Sequence, residues 1–504
     1  MLINASRSRD ILECISSLSS DEVATPPAVA NQVLDLLPAE VWSNKDLRWL
    51  DPACKTGVFL REAARRLMAG LRESIPDEAE RRKHIFTKML HGFALTELTA
   101  QMSRRSVYYN KDASSTTHSV VPFDRSEGNI WFSGDDHSYN AEDKCDVCGG
   151  AKEVFGAPGN RERHAYDFIH KTGDSMRFDV IVGNPPYQLD SAGFGRQATP
   201  IYDLFVEQAI RMQPRYIAMI IPSRWFTGGM GLNQFREKML NTRHLKSIHD
   251  FSNSEWLFSG VQIKGGVCYF LWDSSWNGEC QFNEMNGTEI VTSEARDLSE
   301  HGDILVRHSK ARGIIAKVAQ KSVTMQLSML TEHMTGLNPF GIPSNFVGGS
   351  KSAGSKSISL HTKDGVIMVD PNTVVSNTHL VNKWKVFLSK AGPNGSGYPN
   401  KVLGRIFFDG PKSASTFSYF VAATCESREE AIRITNYLHQ RLPRFLAAMR
   451  MATQNISREC FFWVPYPATE VPVTDEELYK YFGITSQEQE YIESIVTKME
   501  SPSL

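Results

Sequence analysis

Residues 179–187 read Asp-Val-Ile-Val-Gly-Asn-Pro-Pro-Tyr. The pattern predicts a short apolar strand, Asp179 to Val182, that delivers an Asn-Pro-Pro-Tyr loop. Methylating an exocyclic amine on a base needs acceptors for the amino hydrogens, so that the nitrogen rehybridises towards a nucleophile as the methyl arrives. Asn184 carries a side-chain oxygen, and the Pro185 side offers a carbonyl with no N–H behind it. Tyr187, after Pro186, gives a flat face on which an extruded base can stack. Taken alone, these four residues also fit a strand followed by an ordinary Pro-Pro turn.

Three further segments hold residues suited to a charged, nucleotide-like ligand. Asp51-Pro52-Ala53-Cys54-Lys55-Thr56-Gly57 follows a short strand and opens a helix. Such a turn lets backbone N–H groups approach a ligand and sets a helix N-terminus against a carboxylate. Asp51, at the strand tip, suits a ligand ammonium. Glu97 lies just past a second strand, where an acid commonly takes ribose hydroxyls; the other reading is an acid favoured by the helix dipole. Asp167-Phe168 sits on a third strand candidate, where a carboxylate could accept from an adenine amino group beside a flanking ring.

Cys145-Asp146-Val147-Cys148-Gly149 has the spacing of a zinc-knuckle half-site, because two thiolates on one turn can share a tetrahedral ion. His137 lies upstream, and His164 and His170 lie downstream. Two cysteines and two histidines would complete one structural zinc site. His170 is preferred to His164 because it follows the strand of Asp167 and would tie this region to the core. A redox pair and two unrelated thiols are the alternatives, and no thioredoxin-like context surrounds the cysteines.

These groups need a scaffold. Helical spacing is read at 22–38, over Val58 to Leu71, up to Tyr108 and over Ile201 to Met212; strands are read at 47–50, His91 to Leu95, Ala165 to Ile169, Asp179 to Val182 and Tyr216 to Ile221. The alternation predicts an α/β fold with a doubly wound, mostly parallel sheet and ligands at the carboxyl ends of its strands. Residues 112–164 interrupt the rhythm and read as an insertion. After about residue 325 the alternation fades, so two domains are expected, 1–324 and 325–504. Between Lys351 and Lys412 nine Lys and Arg stand against three acidic residues. That bias fits either a solvated surface or a phosphate-facing, loop-rich region. A helix at about 428–448 carries Arg441 and Arg444, and an acidic helical tail follows.

The chain has 504 residues, net charge −2, 41% hydrophobic and 22% charged residues. It is too long for one core, and a nucleic-acid surface would have to be a local patch. The N-terminus lacks the apolar stretch of a signal peptide. No apolar run approaches the ~20 residues of a membrane span, so no membrane partner is expected. Eight scattered cysteines suit a reducing cytoplasm.

Together these motifs resemble the N6-adenine DNA methyltransferases of the gamma arrangement, the TaqI- and Eco57I-like restriction-modification methylases. Thr25-Pro26-Pro27 matches their Thr-Pro-Pro motif, whose threonine contacts the methionine part of S-adenosylmethionine. Asp51, Ala53 and Gly57 fall in the cofactor loop, Glu97 matches the ribose acid, and Asp167-Phe168 matches the adenine-contacting pair. Asn184-Pro185-Pro186-Tyr187 matches the catalytic loop, whose Asn184 also borders the cofactor. Phe258, in Phe-Ser-Gly-Val-Gln-Ile-Lys-Gly-Gly-Val, resembles the aromatic that packs with Tyr187 on the flipped adenine. Thr335 to Phe340 looks like the start of a C-terminal DNA-recognition domain. Two departures stand out: Lys55 replaces a common Gly, and Gly-Phe-Ala-Leu-Thr-Glu replaces a shorter Gly-x-Glu.

The resemblance implies a Rossmann-like, S-adenosylmethionine-dependent enzyme that modifies adenine in a specific duplex DNA sequence within a restriction-modification or related defence system. No nuclease set or P-loop is found, so a restriction nuclease or helicase partner would be a separate subunit. Two other functions remain open on the sequence: a non-catalytic DNA-recognition subunit serving a partner nuclease, and a methyltransferase acting on RNA or protein glutamine.

Overall fold

The structure is a computed structural model that describes residues 24–133, 137–155, 166–170, 177–189, 199–229, 231–263, 265–348, 357–393, 399–451 and 455–500. The chain divides into two compact units, Met1–Leu305 and Val306–Leu504. The division falls ahead of the helix Ser309–Thr324, which was expected in the first domain and instead belongs to the second unit.

The first unit is built on nine strands: β1 (Trp49–Cys54), β2 (Leu90–Ala94), β3 (Ile130–Trp131), β4 (Val180–Gly183), β5 (Tyr216–Pro222), β6 (Leu245–Phe251), β7 (Val267–Asp273), β8 (Cys280–Asn286) and β9 (Glu289–Arg296). They lie in the order β3-β2-β1-β4-β5-β7-β6-β8-β9. Strands β1 to β5 are mutually parallel; β7 runs against both β5 and β6. The central strands are mostly apolar because both faces are covered, whereas β9 at the far edge is largely exposed. β4, β5 and β7 are buried along their whole length, as parallel sheets flanked by helices require. Helices Val58–Gly70 and Glu97–Tyr108 follow β1 and β2, and Tyr202–Arg211 follows the Asn-Pro-Pro-Tyr loop. Strand order reverses around β1 and β4, the switch point at which a doubly wound sheet opens a crevice.

Two expectations change here. Ala165 to Ile169 was read as a strand, but Asp167–His170 is a single helical turn, and Ala165 lies outside the described residues. The third parallel strand is Ile130–Trp131 instead, inside the stretch read as an insertion. The helical turn is buried on several sides. Phe168 meets Phe93 and Phe205, and Tyr166 meets Phe205. Burial on all sides removes the polar stripe that would have marked a helix.

The second unit holds two three-stranded sheets. One orders β11 (Gly365–Val369), β10 (Ile358–Thr362) and β14 (Ser413–Ser415); the other orders β13 (Ile406–Asp409), β12 (Trp384–Ser389) and β15 (Tyr419–Cys425). The helix expected at 428–448 is two helices, Arg428–His439 and Arg441–Ala448. Pro443 has no N–H to offer the carbonyl four residues back, so the first helix ends before it. Gln440 takes the extended conformation between the two.

One cation of the basic stretch, Lys385, turns inward, as does Arg444 farther along the chain. Lys385 is fully buried, and its ammonium donates to the carbonyls of Leu380, Val381, Lys383 and Gly410 at 2.9, 3.1, 2.5 and 3.4 Å. Arg444, also fully buried, donates to the carbonyls of His439, Gln440 and Lys401. Lys383 pairs with Glu426 at 2.8 Å. Lys351 and Lys356 lie outside the described residues. Among the described residues, no helix is long and apolar enough to cross a membrane.

Candidate active site

The carboxyl ends of β1, β2 and β4 bring most of the expected residues to one edge of the sheet. β1 carries Asp51 and Ala53, and strand geometry continues to Cys54. Gly57 then takes a left-handed conformation, φ +72°, and caps the helix Val58–Gly70. A Cβ on Gly57 would stand 3.0–3.1 Å from Val107 and the Ser103 backbone. Glycine therefore lets the turn press against the helix Glu97–Tyr108. Glu97 is the first residue of that second helix, beside the Thr96 cap, and is exposed.

Asp51 is 2% exposed, and its carboxylate accepts from the Ala53 N–H at 3.0 Å. Burial raises its pKa to about 7, against the opposing effects of the Ala53 N–H, Cys54 and the Lys55 charge. A buried carboxyl poised near neutrality is completed by a cationic ligand. A methionine-type ammonium is such a ligand, and the glycine turn at a helix N-terminus suits the carboxylate end of the same ligand. The donor set therefore fits S-adenosylmethionine.

Asn184 follows β4 immediately and is 3% exposed. Its Nδ2 donates to Thr25 Oγ1 at 3.0 Å. Thr25 itself is buried, just ahead of the helix Pro27–Leu34. In this arrangement one N–H of the Asn184 amide is directed at the Thr25 hydroxyl. Pro185 and Pro186 are buried, and Tyr187 is half-buried. Burial pushes the Tyr187 phenol well above its ordinary pKa, with Asn184 opposing, so the phenol stays protonated. Lys55 Nζ lies 5.9 Å from the Tyr187 ring centre. This link between the cofactor turn and the catalytic loop was missed in the sequence. The only sign of it was the departure from Gly at that position.

Phe258 belongs to the hydrophobic core against which Tyr187 packs, and is 2% exposed. Its loop follows β6 and leads into β7. The pairings Pro222↔Val267 and Phe251↔Val267 place that loop at the same edge as the end of β5. Asp167 is buried, and its Oδ2 accepts from the Ser133 N–H at 2.8 Å. Ser133 is a second residue that the sequence gave no reason to select.

The four expected metal ligands come together. Residues 138–151 form a small knuckle: Asn140 N–H donates to Lys144 O, Cys145 N–H to Gly150 O, and Gly149 N–H to Cys145 O. Gly149 sits at φ +72°, where glycine is favoured. The Gly150 N–H also donates to Cys148 Sγ at 3.4 Å. Cys145 Sγ is 3.3 Å from His170 Nε2, and Cys148 Sγ is 3.5 Å from His137 Nδ1. One ligand atom from each residue lies within 4.8 Å of all the others. A tetrahedral ion with bonds of about 2.0–2.3 Å needs ligand atoms roughly 3.3–3.8 Å apart, so small shifts would close the set. Burial raises the Cys148 thiol pKa to about 12, so a cation is what would draw out the thiolate. His164 lies outside the described residues.

Residues 88–258 match the family model described as Eco57I restriction-modification methylase. The chain is 38% identical over 320 residues to an uncharacterized adenine-specific methylase of Mycoplasma pneumoniae (strain ATCC 29342 / M129 / Subtype 1), covering 56% of this chain and 76% of the relative. Among solved structures, it is similar to the type I restriction-modification methyltransferase subunit of Streptococcus thermophilus, with TM-score 0.35, 13% identity, and coverage of 56% of this chain and 53% of that one. It is also similar to a modification subunit of a putative type I restriction enzyme from Vibrio vulnificus YJ016, with TM-score 0.35, 16% identity, and coverage of 71% and 61%. This chain thus spans little more than half the length of those two solved chains.

Proposed function

The chain belongs to the Eco57I-like adenine-specific methylases, and we propose that it transfers a methyl group from S-adenosylmethionine to the N6 amino group of adenine in duplex DNA. One observation carries the reading: the Asn184 amide, anchored on Thr25 at 3.0 Å, stands at the strand end next to the one that bears Asp51 and Gly57. S-adenosylmethionine supplies an activated methyl, because its sulfonium is already a good leaving group. The chain's own task is positioning and amine polarisation.

The residues divide that task. Asp51 holds the ammonium, the turn at Ala53 and Gly57 holds the carboxylate end, Glu97 takes the ribose, and Asp167 with Phe168 holds the cofactor's adenine. The Asn184 amide oxygen and the Pro185 carbonyl accept from the target amino group, so its lone pair is freed to attack the methyl carbon. The transferred methyl would replace one amino hydrogen, which leaves as a proton to solvent, and S-adenosylmethionine would supply both the methyl and the leaving sulfur. Pro186 stiffens the loop. Tyr187 and Phe258 hold the adenine once it is flipped, at an unstacking cost of a few kcal/mol.

Three further parts complete the proposal. Cys145, Cys148, His137 and His170 hold one structural zinc. The second unit recognises the DNA sequence, as the modification component of a restriction-modification system, with a nuclease or helicase subunit as a partner. The thiols and a DNA substrate both fit a reducing cytoplasm.

Incubating the purified chain with methyl-labelled S-adenosylmethionine and duplex DNA, RNA and protein in competition tests the activity. Label should enter duplex DNA alone, with modified adenines at one sequence, and Asn184→Ala should abolish it. Label in RNA or protein only, or none at all, overturns the reading.

A further inference from the structure

The proposed zinc site and the proposed cofactor pocket share a piece of backbone. His170, a ligand, is the last residue of the helical turn Asp167–His170, and Asp167 is the first. Three steps of about 1.5 Å separate them, so they stand about 4.5 Å apart along the axis. Four residues cannot hold a helix by their own hydrogen bonds, so the turn is positioned by what touches it. On one side Phe168 meets Phe93 of β2 and Phe205 of the helix after the catalytic loop, at 6.1 and 5.7 Å between ring centres. On the other, Asp167 accepts from Ser133 at 2.8 Å, and His170 lies against Cys145 and His137. The sulfur–nitrogen distance to Cys145 is 3.3 Å, and the His137 and His170 rings are 4.6 Å apart.

His137 stands four residues after Ser133. The helical turn 167–170 therefore meets this part of the chain at two points, at Ser133 through Asp167 and at His137 through His170 with the knuckle cysteines. An ion at the second point would fix the first.

We propose that metal binding at His137, Cys145, Cys148 and His170 positions Asp167 and Phe168 for the cofactor, so that metal affinity and S-adenosylmethionine affinity are coupled. This rests on the zinc reading given above. The coupling is reciprocal by thermodynamic necessity: whatever factor the ion adds to cofactor affinity, the cofactor adds to ion affinity. The ligands act through Asp167 and touch neither the cofactor nor the target base, so they are positioning residues. Removing the ion should weaken cofactor binding at least tenfold.

The test uses the intact chain. Zinc content is measured first, and about one equivalent is expected; none in gently purified protein ends the zinc reading and this inference with it. Zinc release to a chromogenic chelator is then followed with and without S-adenosylhomocysteine, which needs no folded metal-free protein. At equilibrium with the chelator, zinc should be held at least tenfold more tightly when the nucleoside is bound. Replacing zinc with cobalt(II) adds a spectroscopic check, because its visible bands report the ligand geometry and should shift when the nucleoside binds. Calorimetry on Cys148→Ser should show the matching loss of S-adenosylhomocysteine affinity. If zinc is present but its equilibrium partition to the chelator and the cobalt spectrum ignore the nucleoside, the coupling is overturned and the zinc reading stands.

Discussion

Asn184 and Thr25, 159 residues apart in the chain, meet in a buried hydrogen bond of 3.0 Å from Nδ2 to Oγ1. The resemblance to known methylases placed the threonine at the cofactor. The geometry also makes it the anchor of the proposed catalytic amide. An Asn side chain offers one acceptor and two donors, and turning the donor end onto Thr25 decides which end an incoming amine would meet.

Thr25→Val should therefore lower the single-turnover methylation rate more than it weakens cofactor binding. Losing a buried hydrogen bond costs about 1–3 kcal/mol, a factor of roughly 5–150 in rate. Thr25→Ser should restore most of the activity. A variant whose entire defect lies in cofactor affinity would return Thr25 to a purely cofactor-binding role.

Cofactor affinity should depend on pH through Asp51. Its pKa in the folded chain is about 7, and only the ionised form complements an ammonium. Apparent affinity scales with the competent fraction, so Kd should fall about tenfold from pH 6 to pH 8, as measured by calorimetry. Asp51→Asn should bind weakly and without this slope. Stability runs the other way. A carboxyl whose folded pKa lies above its unfolded value of 3.8 contributes fully below pH 3.8 and loses that contribution as pH rises through 7. The stability gap between Asp51→Asn and the parent should therefore shift in favour of the variant from pH 4 to pH 8. A Kd independent of pH would count against the site.

Gly57→Ala should damage the cofactor turn. The residue would carry a Cβ at φ +72° and 3.0–3.1 Å from its neighbours. The left-handed conformation alone costs about 1–2 kcal/mol. A lower melting temperature and at least tenfold weaker S-adenosylhomocysteine binding are expected. Normal values for both would show that the turn relaxes freely.

Lys385→Met probes the second unit. It should cost more than about 2 kcal/mol in denaturant unfolding, because several carbonyls lose a donor and an unsatisfied buried acceptor costs about 1–3 kcal/mol. Burial lowers the Lys385 pKa to about 8 from 10.5. Between those values the unfolded chain binds more protons than the folded one, so stability of the parent should rise with pH from 8 to 10.5. The variant should lack that rise. An unchanged midpoint would mean the ammonium is replaceable by water.

Much of the site was legible because local chemistry announces itself locally. Asn-Pro-Pro-Tyr after an apolar strand, Asp51 to Gly57 between a strand and a helix, and Cys-x-x-Cys-Gly in a knuckle each draw their geometry from neighbours within a few residues. His137 and His170 could be named as partners of the cysteines because a tetrahedral ion needs four ligands and few histidines lie near enough in the chain.

Other features were settled only in three dimensions. Ile130–Trp131 is too short to show a period, and it is a strand because β2 lies beside it. Asp167–His170 has the apolar run of a strand, and it is a helical turn because aromatic rings enclose it from several directions. The inward turn of Lys385 depends on carbonyls from elsewhere in the fold, so a count of cations could not separate it from a phosphate-facing surface. By itself the sequence determined the α/β class and named the Asn-Pro-Pro-Tyr loop and the four Cys and His residues that the structure gathers into one cluster, since spacing and residue type carry that information. Tertiary structure alone decided that Thr25 meets Asn184 and that one helical turn carries both Asp167, bonded to Ser133, and His170, set against Cys145, because contacts across such distances in the chain are made by packing and leave no periodicity to read.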